Sequence, residues 1–445
     1  MRFDGAVTSD EHHHGHTHAD EPMRSLEDVQ RLVLERCLPL GVVDLPIMDS
    51  LGSVLAEDVS ADEDVPPFAN TAMDGYAVVA ADTAAAPVEL NVVGVLAAGS
   101  PPPETPLRSG EALQIMTGAP MPPGADAIAI VERTERAGEG AVRILDAVAP
   151  GANVRPAGSD MSAGTVALRS GVVIGPAQIG LLATVGRVRV PVWRRPRVGV
   201  MSTGDELVEA GTELAPGQIR DSNRQTLLSM VRRDGFEPVD LGVVRDSEAE
   251  VEAALRAAVA SCDAVLSSGG VSKGEFDYVK VVLDKLASAG GGEAFVLAVA
   301  IRPAKPLALA WLPRAAGADA AAGSDASARV AFFGLPGNPV SSIVSYQVIA
   351  LPALRRMAGI PSPLARPVAA IAGDDLRPSR DGRLNLMRVE ARFGADGRLV
   401  ARSAGGQQSH QLSGMATANA LALVPSGDGV AVGEPVEVLI FGPLA

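Results

Sequence analysis

Cysteine is nearly absent. The 445-residue chain carries two, Cys37 and Cys262, each in an apolar helical or strand-edge pattern. No disulfide framework can be built from them, and two packed, reduced thiols in a cytoplasmic setting are expected. Long apolar runs are missing as well. One charge-free stretch, residues 170–186, is only about 17 residues long and is interrupted by Pro176, Gln178 and several glycines, which excludes it as a membrane span. No secretory signal pattern opens the sequence, so a soluble protein without a membrane partner is expected. Positive charge is scarce: the formal net charge is -15, which argues against a nucleic-acid partner. Lysine is scarcer still. Lys273, Lys280, Lys285 and Lys305 are the only ones, all in or just after one glycine-rich segment. Lys280 and Lys285 fit a solvated helix face, whereas Lys273 in the loop and Lys305 between proline-bearing turns could offset an anionic ligand.

Apolar material is ample: 47% hydrophobic content over this length suffices for several cores, and length alone suggests about three domains. Residues 1–24 stand apart as a disordered polar tail in which His12, His13, His14, His16 and His18 lie among acids. Such a tail offers tag-like metal affinity but lacks the surroundings that orient catalytic ligands. Ser25 with Asp28 then forms a capping-box pattern, and Leu26, Val29, Leu32 and Val33 give an amphipathic helix.

Chemistry concentrates at three junctions between apolar runs and polar turns. The segment SSGGVSKGEFDY, residues 267–278, follows the strand pattern Asp263 to Leu266 and leads into helical spacing through Val282. Gly269 and Gly270 permit a tight path that exposes backbone N–H groups, while Lys273, Glu275 and Asp277 add both charge signs, as a phosphate-and-cation site requires. An ordinary strand-to-helix turn fits the same residues. Arg197 to Ser202 runs into Thr203, Gly204, Asp205 and Glu206, placing two carboxylates past a strand end, where open parallel sheets bind ligands. Val330 to Leu335 is followed by Pro336, Gly337, Asn338 and Pro339, which also suit plain helix initiation. Between the junctions, helical Thr226 to Arg233, strand-like Pro238 to Val244 and helical Glu248 to Ala260 alternate, so a doubly wound α/β domain is the economical reading.

Upstream, VPPFANTAMDGYAV (residues 65–78) has an Asp74–Gly75 turn that Phe68 and Tyr76 would pin against a core. A structural turn explains it equally. From about Val88 to Val148, β-branched runs broken by Gly and Pro read as a small β domain. Short strands at Asn385 to Phe393, Leu399 to Arg402, Ala420 to Val424 and Val436 to Phe441 read as a second small barrel or sandwich. The Ala, Gly, Ser and Asp run from Arg314 to Arg329 reads as a mobile hairpin insertion.

Taken in order, NTAMDGYA (70–77), IMTGAP (115–120), GSDMSAG (158–164), GPAQIGLLATVG (175–186), STGDEL (202–207), SSGGVSKGEFDY and LPGNPVS (335–341) resemble the molybdopterin molybdenumtransferases, the MoeA-type molybdenum insertases that include the gephyrin E domain. The resemblance runs from about Ser25 to the C-terminus. It implies a homodimer of four-domain subunits: 25–67 with 149–195 as an α+β dimerisation domain I, 68–148 as a small β domain II, 196–361 as a molybdopterin-binding α/β domain III, and 362–445 as a C-terminal β-barrel domain IV. It further implies that molybdate is inserted into adenylylated molybdopterin with release of AMP, that Mg²⁺ is required, and that a molybdopterin adenylyltransferase donates the substrate.

Carried over residue by residue, the resemblance assigns catalysis to Asp74, Thr117, Asp160, Glu206, Asp246, Asp277, Arg302 and Lys305, with Glu206, Asp246 and Asp277 as metal ligands. Substrate contacts fall to Thr203, Gly204, Asp205, Ser268, Gly269, Gly270, Val271, Ser272, Pro336, Gly337, Asn338, Arg383 and Ser409. One departure stands out: the family's PGKP element reads RPAKP here (302–306), so Ala304 replaces a glycine and Arg302 stands where many relatives carry lysine. Two other activities share parts of this pattern. A molybdopterin adenylyltransferase has the α/β fold and the GGVS-type loop but lacks the flanking regions, and a gephyrin-like scaffold would not need acids at every cleft motif.

Overall fold

The computed structural model describes residues 23–270, 278–314 and 329–444. The chain divides into two compact units, one formed by Asp44–Val192 and the other by the segments up to Val43 and from Trp193 onward.

The larger unit is organised by a six-stranded sheet. Its strands are β1 (Arg197–Thr203), β2 (Glu237–Val244), β3 (Ala264–Ser268), β4 (Glu293–Ala298), β5 (Pro306–Pro313) and β6 (Arg329–Leu335), in the spatial order β2-β1-β3-β6-β5-β4. The first four in that order run parallel, and β5 alone runs the opposite way, so that its pairings with β6 and with the edge strand β4 are antiparallel. Helices α1 (Asn223–Arg233), α2 (Glu248–Ser261), α3 (Tyr278–Gly290) and α4 (Pro339–Ser345) cover it.

Both faces are buried, which explains why these strands read as continuous apolar runs. Val198, Val200, Ala264, Leu266 and Phe333 pack with Leu227 and Val231 of α1 and Val340 and Val344 of α4. Their neighbours Met201, Val265 and Phe332 point the other way, onto Val251 and Leu255 of α2 and Val279 and Val282 of α3. Each such fully buried side chain stabilises the fold by roughly 1.5–3 kcal/mol. The sheet is therefore doubly covered, as expected.

Helix Leu26–Arg36 begins where the Ser25 hydroxyl accepts the Asp28 N–H at 3.0 Å, and it buries Leu26, Val29 and Val33 in the first of these cores. Cys37 and Cys262 are both buried free thiols. Burial pushes Cys37 up to about 12, against a smaller opposing contact from Trp311.

C-terminal to the sheet, strands Val368–Ala372, Leu384–Phe393, Leu399–Ser403, Ala420–Val424 and Pro435–Ile440 close into a five-stranded barrel, because Leu384–Phe393 pairs with both Leu399–Ser403 and Ala420–Val424. The short strand Ile301–Arg302, just before β5, runs beside Leu384 and Asn385 and so ties the α/β region to the barrel. Residues 315–328 of the expected hairpin insertion lie outside the described residues. The strands that flank them pair antiparallel from Pro313 opposite Arg329 onward.

The smaller unit contains a six-stranded sheet in the order Ala127–Ile130, Gly75–Val78, Glu111–Ile115, Val88–Leu96, Ala141–Ile144, Thr134–Arg136. Here one expectation needs correcting. Tyr76 is buried in this sheet's core, but Phe68 is 47% exposed and does not belong to that core. Gly75 is not a loose turn residue either: it enters a central strand paired on both sides, where a Cβ would run into the Ala129 carbonyl.

Candidate active site

Register brings the three polar junctions together. Ser202 lies opposite Ser268, and Ser268 opposite Leu335, so the chain leaves β1, β3 and β6 at one level. Thr203, Gly269 and Pro336 thus begin adjacent loops at the carboxyl edge of a sheet whose strand order reverses at β1, the position where open α/β sheets hold ligands.

These loops floor a cleft of about 880 Å³. From β1 come Thr203, Gly204 and Glu206; from the turn after β2, Asp246; from β3, Ser268, Gly269 and Gly270; from β6, Pro336, Gly337 and Asn338. Arg302 and Lys305 of the RPAKP segment face them, and the barrel contributes Arg383 and Ser409. Asp205 does not line the cleft; its carboxylate accepts the Asp246 N–H at 3.3 Å. Val271, Ser272 and Asp277 lie outside the described residues. Asp74, Thr117 and Asp160 belong to the smaller unit.

Local geometry explains the residue types. Gly269 has φ +96, and a Cβ there would stand 2.8 Å from the Thr203 carbonyl oxygen, so only glycine lets β1 and β3 release their chains side by side. Gly204 has φ +149 and leaves room for the Glu206 carboxylate, which would sit 2.5 Å from an added Cβ. Asn338 is the N-cap of α4 with Pro339 at the first helical position, but its side chain makes no capping bond. Ala304 occupies φ +86, the conformation a glycine would adopt freely, so the departure from PGKP is carried as backbone strain.

Electrostatics resolve how an acidic chain can hold an anion. Arg220, Arg302, Lys305 and Arg383 line the cleft together with Glu206, Asp221 and Asp246. Asp381 bridges two of the cations, pairing with Arg383 and lying 3.0 Å from Arg302. Hydrogen bonds from Arg383 first, and then from Arg302, hold its carboxyl well below the usual carboxylate range. Asp221 is buried, accepting from Ser202 at 3.1 Å and pairing with Arg224 at 3.0 Å. The Thr203 hydroxyl is buried at the cleft with no partner among the described residues.

No group of three potential metal ligands forms among the described residues. Glu206 and Asp246 nevertheless share the cleft, and two carboxylates fit a magnesium ion, which keeps several waters and leans on substrate phosphates.

In the smaller unit, two distant motifs meet. The Asp74 carboxylate accepts the Thr117 N–H at 2.6 Å and its hydroxyl at 2.7 Å, and the amide bond, then the hydroxyl bond, lowers the Asp74 pKa. Asp74, Thr117, Asp160 and neighbouring Met73 are all exposed.

Three stretches match family models described as the MoeA N-terminal region with domains I and II (24–186), a probable molybdopterin binding domain (199–356) and the MoeA C-terminal region with domain IV (369–441). The chain is 35% identical to a Haemophilus influenzae protein named molybdopterin molybdenumtransferase, over 95% of this chain and 100% of that one. It is 37% identical to molybdopterin molybdenumtransferase 2 of Mycobacterium tuberculosis, over 94% and 99%. The chain belongs to the MoeA family. A solved MoeA protein from Pyrococcus horikosii superposes with a TM-score of 0.75 at 31% identity, covering 95% of this chain and 100% of that structure.

Several cleft residues of this MoeA-family chain escaped sequence reasoning. Asn223, just ahead of the helical pattern Thr226 to Arg233, donates its amide to Ser268 Oγ at 2.7 Å and to the Gly337 carbonyl at 2.6 Å. Arg220, Gln407, Gln408 and His410 also line the cleft. Their only sequence signal was adjacency: Arg220 directly precedes the polar run Asp221, Ser222 and Asn223, and the other three flank Ser409.

Proposed function

We propose that this chain is a molybdopterin molybdenumtransferase of molybdenum cofactor biosynthesis, which inserts molybdenum from molybdate into adenylylated molybdopterin with release of AMP. One observation carries the reading: at the carboxyl edge of a parallel sheet, Glu206 and Asp246 share one cleft with Arg302, Lys305 and Arg383. Cleaving a phosphoanhydride needs that combination, since charge must be both held and neutralised where the bond breaks.

In this reading Thr203 and Gly204, the 268–272 loop and Pro336 to Asn338 hold the nucleotide-linked pterin, while Asp205 braces the turn that carries Asp246 by accepting its N–H. Arg302 and Lys305 offset its negative charge, and Arg383 and Ser409 receive the oxyanion from the barrel side. Glu206 and Asp246, with Asp277, would hold a Mg²⁺ that supplies Lewis-acid polarisation of the anhydride.

Asp74, Thr117 and Asp160 serve the same reaction within a homodimer. Support for self-association comes from the smaller unit, where Met48, Leu51, Val173 and Val188 are exposed at 71%, 50%, 50% and 77%. Backbone bonds from Ile47 to Val188 and from Gly52 to Ile174 bring these residues into one neighbourhood, the kind of apolar patch that marks an interface. A cytoplasmic molybdopterin adenylyltransferase is the fitting donor of the activated pterin.

The test is direct: purified protein, adenylylated molybdopterin, molybdate and Mg²⁺ are combined and AMP is quantified chromatographically. Glu206→Ala is expected to slow AMP release by roughly two orders of magnitude while pterin binding changes far less. Wild-type protein that releases no AMP in the presence of molybdate would sink the proposal.

A further inference from the structure

Arg388 is the bulkiest fully buried side chain among the described residues, and its surroundings are unusual for a guanidinium. Other inward-facing arginines here have acids: buried Arg224 meets Asp221, Asp240 and Glu209, and partly buried Arg194 grips Asp263 with both terminal nitrogens. Arg388 has none. Its Nη2 donates to the carbonyls of Gly406 and Gln408, the latter at 3.3 Å, while Nε and Nη1 are buried without partners among the described residues. Burial alone acts on its titration and pushes the pKa down. A buried cation that no acid compensates is costly to the fold.

Its neighbours point to what offsets that cost. The Arg388 N–H donates to Gln407 Oε1 at 2.9 Å and its carbonyl accepts from Gln407 Nε2 at 3.0 Å, so the strand grips the segment that carries Gln407, Gln408, Ser409 and His410 into the cleft wall. A trans peptide sets C=O and N–H on opposite sides. With the Gly406 and Gln408 carbonyls turned to the guanidinium, the Gln407 and Ser409 N–H groups face away from it. Neither N–H has an acceptor among the described residues. A cation at the carbonyl end polarises each peptide and makes its N–H a stronger donor.

We propose that Arg388 is a positioning residue that charges the cleft from behind: it orients the 406–409 backbone and polarises the Gln407 and Ser409 amides toward an oxyanion substrate, which serves as its missing counter-charge. The inference rests on the reading that this cleft takes molybdate.

The experiment compares full-length wild type, Arg388→Met and Arg388→Lys for molybdate binding by calorimetry and for thermal unfolding without ligand. Arg388→Met should weaken molybdate binding about tenfold or more, the size of one lost charge-assisted hydrogen bond. Its unliganded melting temperature should equal or exceed that of wild type, because an apolar replacement of an unpaired buried charge is neutral or stabilising. Arg388→Lys should recover part of the affinity. Binding by Arg388→Met within about twofold of wild type overturns the proposal. So does weakened binding accompanied by a lowered melting temperature in both variants, which would make the role structural. Failure of the underlying reading shows separately, as wild-type protein that binds no molybdate, and then the role of Arg388 falls with it.

Discussion

Asn223 offers the sharpest perturbation of the cleft. It opens α1, yet both hydrogens of its amide leave the helix, one to Ser268 Oγ and one to the Gly337 carbonyl, at 2.7 and 2.6 Å. It therefore clamps the loop after β3 to the loop after β6. Asn223→Ala removes two hydrogen bonds worth about 1 kcal/mol each. Ser268 is 2% exposed, so water reaches its hydroxyl poorly, whereas exposed Gly337 regains solvent. The expected cost is roughly 2–3 kcal/mol, read from the shift in urea midpoint at constant slope. Functionally, KM for the activated pterin should rise about tenfold with a smaller effect on kcat, since the clamp positions binding loops and does not touch reacting bonds. Asn223→Asp is the discriminating companion. It sets an acceptor against the Gly337 carbonyl and adds a negative charge to the cleft, so its KM should exceed that of Asn223→Ala. An alanine variant with unchanged midpoint and KM, or an aspartate variant that binds more tightly than alanine, would refute the clamp.

Two other sites make separate demands. Asp263 is 5% exposed and held by Arg194 at 2.7 and 2.8 Å, with Arg314 at 3.1 Å; Asp263→Asn should cost about 3–5 kcal/mol by chemical denaturation. Burial alone would raise this carboxyl, but the Arg194 pair, the Arg197 amide and Arg314 outweigh it and hold the pKa below the ordinary value. Its contribution is thus complete above the unfolded-state pKa of about 4 and is lost as pH falls through the lower folded-state pKa; a wild-type acid limb of stability that persists in Asp263→Asn would contradict this. At Ala304, φ +86 predicts that Ala304→Val loses about 2 kcal/mol or more while Ala304→Gly is tolerated; equal melting temperatures for the two variants would remove the strain argument.

Much of the α/β architecture was legible because its determinants are local. Alternating burial on two faces left unbroken apolar runs at β1, β3 and β6, and cap residues such as Ser25, Asn338 and Pro339 marked helix starts by the bonds they do or do not make. Phe68 shows the limit: its position beside a turn suggested packing, yet whether an aromatic finds a core depends on elements elsewhere in the chain. Asp74 and Thr117 were each singled out by motif, but their hydrogen bonds depend on strands that bring positions 74 and 117 together. Arg388 carried no signal, because a buried arginine and a surface arginine are the same letter until the barrel closes around one of them.

Contiguous residues alone specify that three polar turns follow apolar strands, which side chains those turns carry, and that their order matches a known family. Folding in three dimensions sets the rest: the turns emerge at one level, Arg302 and Arg383 share Asp381, and the Arg388 guanidinium sits behind the Ser409 loop. Register between strands and closure of a barrel are set by packing among distant segments, and no short stretch of sequence contains that information.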